Sequence, residues 1–220
     1  MAVRLSAPRH RSAREETANS VTHGIGLALS VAGLALLVVF ASLYGTVWHV
    51  VGSSIYGATL VVLFTASTLY HSARTPKLKH AFKIADHCCI FLLIAGTYTP
   101  YTITNLRGGW GWALFGVVWG FAVFGIVFKV LFVNKFRIAS SIGYVVMGWL
   151  AVIAIKPMVE VVPLDNLMWL AAGGIAYTAG LVFYVTDRVP YSHTVWHMFV
   201  LTGSFCHYYA VMACILQLRA

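Results

Sequence analysis

Two histidines lie four residues apart where the last apolar run of the chain begins, in the segment HTVWH at 193–197. In a helix, the side chains of His193 and His197 lie on one face, about 6 Å apart along the axis. Such a pair suits a shared metal ion, haem ligation or hydrogen bonds inside a protein core. Which of these three interpretations applies depends on the helices that position the pair and on the residues that they bring close to it.

The composition indicates a membrane protein. The 220 residues are 60% hydrophobic and 10% charged, with mean hydropathy +0.83, whereas a soluble domain carries about 25% charged residues. Repeated apolar runs, each near the roughly 20 residues needed to cross a bilayer, predict a polytopic α-helical membrane protein. All four cysteines fall inside apolar runs, and we interpret them as small buried residues rather than disulfides.

Seven apolar runs joined by short polar connectors predict an all-α bundle of seven transmembrane helices, in which neighbouring helices are antiparallel. We expect residues 1–22 to form a short basic cytoplasmic segment and residues 23–220 to form one transmembrane domain. The predicted helices are 24–44, 51–71, 84–104, 111–131, 138–157, 166–186 and 194–217.

The distribution of lysine and arginine orients the bundle. With a cytoplasmic N-terminus, 12 of the 15 basic residues fall on the cytoplasmic side, and only Arg107, Lys156 and Arg219 fall on the other. Because cytoplasmic loops carry the excess of positive charge, this split predicts an inner (plasma) membrane protein with its N-terminus inside and its C-terminus outside. The positive charge then serves topology and lipid contact, which argues against a nucleic-acid partner.

In this topology, four polar residues from three helices lie at one depth near the cytoplasmic face. His71 ends the second helix, Asp86 lies in the first turns of the third, and His193 and His197 begin the seventh. We expect Pro190 in the first turn of that last helix. Asp86 has two interpretations: a functional carboxylate, since ionisable residues in a span are costly, or a favourable charge at a helix N-terminus.

Three imidazoles at one depth match the pattern of a catalytic zinc site, in which three protein ligands leave an open position for water. His71, His193 and His197 are therefore the predicted metal ligands. Asp86 is predicted to accept a hydrogen bond from that water and to act as general base. Ser67 lies one turn before His71, where it can support the site or stabilise an oxyanion.

Three motifs in chain order resemble the hemolysin III proteins of bacteria, which fall within the progestin and adipoQ receptor superfamily. The motifs are E-x-x-N-x-x-T-H, then S-x-x-x-H followed by an aspartate, then H-x-x-x-H. The residues here are Glu16, Asn19, Thr22, His23, Ser67, His71, Asp86, His193 and His197. The resemblance extends from Glu16 over nearly the whole chain. It implies a seven-helix bundle with a cytoplasmic N-terminus, zinc held by the three histidines, and a water linked to Asp86.

The first motif leaves two interpretations open. Glu16, Asn19 and His23 recur at spacings of three and four, which align on one helix face. They either form a capped, interfacial entry to the first helix or support the zinc pocket. His207 lies about 15 Å deeper than His197 on a straight helix, so we expect it to be a hydrogen-bonded residue of the bundle rather than a ligand.

The superfamily is similar to alkaline ceramidases, which implies zinc-dependent hydrolysis of a lipid amide or ester near the cytoplasmic leaflet, with membrane lipid as substrate. One alternative is a receptor-like or membrane-homeostasis protein with structural zinc. A pore-forming haemolysin is another, although the ionisable groups cluster on one side rather than at several depths. A b-type haem protein would need more deep histidines than His207. The oligomeric state is left open.

Overall fold

Seven apolar runs become seven helical spans in the computed structural model, which describes residues 11–186 and 189–219. Each span is long and apolar enough to cross a membrane, and no strand occurs in the described residues. The predicted all-α, seven-span class is thereby confirmed. The helices are α1 (Ala13–Tyr44), α2 (Val47–Ser72), α3 (Pro76–Ile103), α4 (Gly109–Phe132), α5 (Arg137–Gly148), a 3₁₀ helix (Leu150–Ala154), α6 (Ile155–Val161), α7 (Leu164–Thr186) and α8 (Ser192–Gln217).

Helix α1 begins at Ala13, well before the predicted start at residue 24. A capping box starts it: the Ser12 hydroxyl accepts from the Glu15 N–H at 3.3 Å, and the Glu15 carboxylate accepts from the Ser12 N–H at 2.9 Å. Hydropathy marks only the lipid-spanning part of a helix, so it missed the polar turns before it. These turns make the first motif part of α1.

Helix α3 also begins early, at Pro76 rather than at residue 84. The Thr75 hydroxyl accepts from the Leu78 N–H at 3.4 Å, and Pro76 occupies the first turn, where its missing N–H costs no hydrogen bond. The expectation for Pro190 is wrong, because α8 starts two residues later, at Ser192. Proline in a turn before a helix and proline in its first turn give the same sequence pattern.

The fifth span is broken, whereas the sequence predicted one helix over 138–157. It consists of α5, the 3₁₀ helix and α6. At the break, the Tyr98 hydroxyl of α3 lies 2.7 Å from the Gly148 carbonyl oxygen and accepts from the Ala151 N–H at 2.9 Å. Pro157 lacks the N–H that would bond to the preceding turn. The backbone groups released by the break are therefore satisfied by a neighbouring helix, as a membrane span requires.

Helices packed side by side bring the two ends of the chain together. Helix α1 packs on α2, α2 on α3, α3 on α4 and α7 on α8, and α8 closes the arrangement by packing on α1. One core cluster, which includes Leu37, Tyr56 and Phe64, joins α1, α2, α3 and α8. A second, which includes Phe91 and Val118, joins α3, α4 and the fifth span. The polar start of α1 therefore lies beside the start of α8.

The outer surface of the bundle is apolar on every span. Leu29 of α1, Phe124 of α4 and Ile153 of the fifth span expose between 65% and 69% of their surface. Such side chains are distributed around the bundle instead of forming one patch. This distribution fits contact with lipid rather than with a single protein partner.

Candidate metal centre

Three imidazoles converge at one end of the bundle, as the sequence predicted. His71 comes from the last turn of α2, and His193 and His197 come from the first two turns of α8. One ring nitrogen from each lies within 4.8 Å of the others. All three side chains are buried, with residue exposures of 4%, 7% and 1%. Among the described residues, this is the one group of three or more histidine, cysteine or acidic side chains with metal-ligand spacing.

The open hydrogen-bonding capacity of these rings fits a metal ion. Nε2 of His71 and both ring nitrogens of His193 are buried and have no hydrogen-bond partner. A buried polar atom left without a partner costs about 1–3 kcal/mol of stability. Three such atoms in one cluster therefore indicate a site for a bound ligand or ion. Neutral imidazole nitrogens are the ligands that divalent transition metals favour in proteins. The residues present therefore fit a metal bound by three histidines.

Glu16 orients the His71 ring. Its carboxylate oxygen Oε2 accepts from Nδ1–H of His71 at 2.8 Å and from the Lys79 ammonium at 2.7 Å. The ammonium also lies 4.6 Å from the centre of the Tyr70 ring. With Nδ1 protonated and bonded to Glu16, the lone pair of His71 is on Nε2, which faces the cluster. This is the carboxylate–histidine arrangement that commonly supports metal ligands.

Asn19 and Thr22 orient the His197 ring. Nδ1–H of His197 donates to the Asn19 carbonyl oxygen at 3.2 Å, and the Thr22 hydroxyl lies at the same distance. The Asn19 side chain in turn accepts from the Thr194 hydroxyl at 2.7 Å. Helix α1 therefore fixes the position of α8 at the level of the cluster. It also leaves Nε2 of His197 as the coordinating atom.

His23 links the histidine cluster to the predicted base. Its ring stacks on His197, with centroids 3.5 Å apart and planes 12° apart. Its Nδ1 lies 2.6 Å from the Ser67 hydroxyl oxygen, and the Ser67 hydroxyl lies close enough to the Asp86 carboxylate to stabilise its charge. Asp86 is buried but is not one of the converging ligands. Ser67 and His23 therefore lie between Asp86 and the cluster.

Glu15 contacts the start of α8, although the sequence did not mark it as a site residue. Tyr191 has φ of 61°, a left-handed conformation that is uncommon for residues other than glycine. Its N–H donates to the Glu15 carboxylate at 2.8 Å. Because Glu15 also caps α1, one side chain joins the starts of two helices. The only signal for Glu15 in the sequence was the capping-box spacing, since Glu15 is the third residue after Ser12.

The residues of the first motif lie beside the histidine cluster. Glu16, Asn19 and His23 each touch the cluster or a residue next to it, through the bonds described above. Thr22 was identified from the sequence only as a member of a motif. Thr194, Tyr70 and Lys79 were not identified as site residues. No sequence pattern marks such residues, since their positions depend on how α1, α2 and α8 pack.

The remaining histidines in the described residues lie apart from the cluster. His87 bonds the Lys83 carbonyl oxygen at 2.7 Å and the Tyr184 hydroxyl at 3.0 Å. His207 bonds the Leu170 carbonyl oxygen at 3.0 Å, in line with its expected role as a bundle residue. His49 accepts from the backbone at the start of α2, and His80 is exposed. His10 lies outside the described residues.

An apolar cavity of about 100 Å³ lies deeper in the bundle, next to the cluster. Leu63, which lies one turn from Ser67, lines this cavity. Trp196 and Val200, which flank His197 on α8, also line it. A second cavity, of about 150 Å³, shares Thr97, Tyr98, Gly148, Trp149, Gly174 and His207 with the first. The adjoining cavities place apolar space between the cluster and the break in the fifth span.

Comparison with known proteins gives a consistent result over almost the full length. A family model described as Haemolysin-III related matches residues 11–208. "Hemolysin-3" of Bacillus cereus is 44% identical over 199 residues, covering 90% of this chain and 91% of the relative. The "Hemolysin-3 homolog" of Bacillus subtilis (strain 168) is 43% identical, covering 90% and 93%. The human "Monocyte to macrophage differentiation factor" is 30% identical over 203 residues, covering 90% and 83%.

Proposed function

The chain belongs to the haemolysin-III related family of multi-pass membrane proteins, and from this membership and the geometry of the histidine cluster we propose that it is a zinc-dependent hydrolase of a membrane lipid. The bond cleaved is an amide or an ester near the cytoplasmic leaflet. The observation that carries the proposal is the convergence of three buried imidazoles, two of which, His71 and His193, have buried ring nitrogens without a hydrogen-bond partner among the described residues.

Zinc is the metal that best matches these ligands. His71, His193 and His197 offer three nitrogens, and zinc sites with three protein ligands keep a fourth position open for chemistry. The contacts of Glu16 and Asn19 with the outward-facing nitrogens are of the kind that raise ligand basicity and fix ring orientation. A zinc ion in such a site supplies Lewis acidity toward a carbonyl oxygen and toward water.

Asp86 is proposed to accept the proton of the attacking water. A general base needs a fixed position within reach of the reacting proton, and Asp86 is buried with the Ser67 hydroxyl beside its carboxylate. Because the Ser67 hydroxyl lies between His23 and Asp86, its contacts favour positioning of the base over stabilisation of an oxyanion. His23 would then hold Ser67 by donating its Nδ1–H.

The substrate class follows from the surroundings of the cluster. The cavities beside it are lined mostly by apolar and aromatic side chains, which suits an acyl chain rather than a polar metabolite. The basic residues on the side of the cluster predict that it faces the cytoplasm. A lipid whose chain occupies the apolar space would present its amide or ester near the headgroup level, where the histidines lie.

The metal content of purified protein tests the first part of the proposal. Wild-type protein and the exposed-site variant His80→Ala should each carry about one zinc ion per chain, and His197→Ala should carry almost none. Elemental analysis after removal of loosely bound metal gives the values. A wild-type protein without stoichiometric zinc would refute the zinc site.

Asp86→Asn separates a hydrolase from a protein with structural zinc. In a hydrolase, this variant should keep its zinc and lose turnover of a lipid amide by roughly 10²–10⁴-fold, the usual contribution of a general base. If lipid turnover is undetectable in wild-type protein while zinc is present, the receptor-like or membrane-homeostasis function with structural zinc replaces the hydrolase.

Membrane permeabilisation is the second candidate, favoured by the names of the two Bacillus relatives, "Hemolysin-3" and "Hemolysin-3 homolog". Reconstitution into dye-loaded liposomes tests it directly. Release of dye that depends on protein concentration would support a pore. Intact liposomes at high protein-to-lipid ratio would count against one.

A further inference from the structure

A buried lysine lies in α4 near the end of the bundle that carries the histidine cluster. Lys129 exposes only 1% of its surface, although lysine is almost never fully buried unless it is paired. In the described residues it forms no hydrogen bond and no ion pair. Its ammonium nitrogen lies 6.0 Å from the centre of the Tyr144 ring. The function proposed above does not use this residue.

Two further cations lie near Lys129 on neighbouring helices, Lys83 of α3 and Arg137 of α5. The Tyr144 hydroxyl donates to the carbonyl oxygen of His87, which lies one turn after Lys83. The His87 ring in turn bonds the hydroxyl of Tyr184, whose ring Arg137 covers. Lys83 donates to the Asn134 side-chain oxygen at 2.8 Å. Arg137 donates to the Tyr184 carbonyl oxygen and stacks on the Tyr184 ring, 4.4 Å from its centre. We call Lys83, Lys129 and Arg137 the basic cluster.

The partners of the basic cluster are neutral. The ion pairs seen among the described residues join Glu16 or Asp86 to His71, Lys79 or His87, and none includes a member of the basic cluster. Nε of Arg137 is buried and has no hydrogen-bond partner. Three positive charges held together in a partly buried place are costly without an opposite charge.

We propose that the basic cluster binds a phosphate group. Phosphate oxygens accept charge-assisted hydrogen bonds from lysine, and arginine offers them a planar pair of donors. The free donors of Lys129 and Arg137 supply both kinds. The cluster lies at the end of α4 and the start of α5, which is the level of lipid headgroups on the side predicted to be cytoplasmic. The phosphate can therefore belong to a headgroup or to a free anion.

The phosphate site adjoins the histidine cluster but is separate from it. Tyr184 lies between them: its hydroxyl bonds His87 at 3.0 Å, and its ring centre lies 6.0 Å from that of His193. Arg137 covers the ring of the same tyrosine. The proposal does not rest on zinc, so zinc content and phosphate binding should vary independently among variants.

Binding of phosphatidic acid to purified protein in detergent, followed by native mass spectrometry, tests the proposal. Lys129→Met should weaken binding at least about tenfold, the equivalent of one charge-assisted hydrogen bond. Lys135→Met removes a lysine charge at an exposed site in the connector between α4 and α5. It should change the affinity less than about twofold. Lys129→Arg keeps the charge and should keep most of the binding. Phosphatidylcholine serves as the lipid without net charge.

Competition with inorganic phosphate distinguishes the two sources. Displacement of phosphatidic acid by millimolar phosphate supports the site and assigns it to the free anion. Binding that phosphate does not displace, but that Lys129→Met weakens, supports the site and assigns it to a lipid headgroup. Lys83→Met repeats the test at a half-buried position, so a folding defect of Lys129→Met does not block it. Equal affinity of the wild type and both methionine variants would overturn the proposal.

Discussion

The Glu16 carboxylate of α1 accepts from Nδ1–H of His71 of α2 at 2.8 Å and thereby decides which nitrogen of His71 faces the histidine cluster. The same oxygen accepts from Lys79 at 2.7 Å, so the carboxylate is held from two sides. Orientation of a ligand on one helix therefore depends on a charge from another. Loss of such a supporting contact typically lowers metal affinity by about 10–100-fold.

Replacement of Glu16 by glutamine should lower zinc affinity by about 10–100-fold, the usual effect of removing a carboxylate behind a histidine ligand. The amide keeps the size of the side chain but removes its negative charge. Titration against a competing chelator measures the affinity. Glu160→Gln, at an exposed site in α6, makes the same chemical change away from the cluster and should leave the affinity unchanged. Equal affinity of the two variants would contradict an orienting role for Glu16.

Ser67→Ala should destabilise the protein while leaving its zinc in place. Without the hydroxyl, Nδ1 of His23 loses its 2.6 Å partner in a buried site, at a cost of about 1–3 kcal/mol. Thermal unfolding in detergent should therefore shift to lower temperature, with zinc content measured in parallel. Ser42→Ala, at an exposed site of α1 where the hydroxyl bonds the Val38 carbonyl oxygen of its own helix, is the matched control. Should both variants melt with the wild type, the His23–Ser67 contact does not stabilise the fold.

Two glycines of α4 should respond oppositely to alanine. A methyl group at Gly125 would lie 2.5 Å from the Phe91 ring of α3, whereas one at Gly120 would meet nothing within 4 Å. Gly125→Ala should cost about 1–3 kcal/mol of stability through overpacking. Gly120→Ala should be neutral or slightly stabilising, since alanine favours the helix more than glycine does. A lower melting temperature for Gly120→Ala than for Gly125→Ala would show that the α3–α4 contact is not as close as described.

The membrane orientation predicted from the charges is open to a direct measurement. The cytoplasmic side is predicted to hold 12 of the 15 basic residues, so a fluorescent protein fused to the N-terminus should fluoresce in the cytoplasm. With seven spans, alkaline phosphatase fused to the C-terminus should be active outside it. The reverse pair of results would place the histidine cluster at the outer face and would remove the cytoplasmic leaflet from the proposed function.

Periodicity and charge were sufficient to predict where the three histidines meet. His193 and His197 share a helix face by their spacing, and the short connectors with the basic residues placed His71 at the same end of the bundle. The packing partners were not predictable in this way. Thr22 and Lys79 approach the histidines only because α1 and α3 begin about two to three turns earlier than their apolar runs do, and hydropathy carries no signal for such polar turns.

The break in the fifth span shows a second limit of reasoning from the sequence. The sequence predicted one helix over 138–157, but the regular helix ends nine residues before Pro157, at Gly148, where the Tyr98 hydroxyl can bond the released backbone groups. The basic cluster was missed for a related reason. A lysine near the end of a span is interpreted from the sequence as a sign of membrane orientation. Only the packing of α3, α4 and α5 shows that Lys129 is buried near Lys83 and Arg137.

The contact between α1 and α8 also has a consequence for when the metal centre can form. Glu16 and Asn19 precede His193 and His197 in the chain and are therefore synthesised well before them. Until α8 is inserted beside α1, the membrane holds one ligand, His71, and an incomplete set of supporting residues. A metal held by all three histidines would therefore be acquired only after α8 is synthesised, and its presence would mark a bundle in which α1 and α8 have already met.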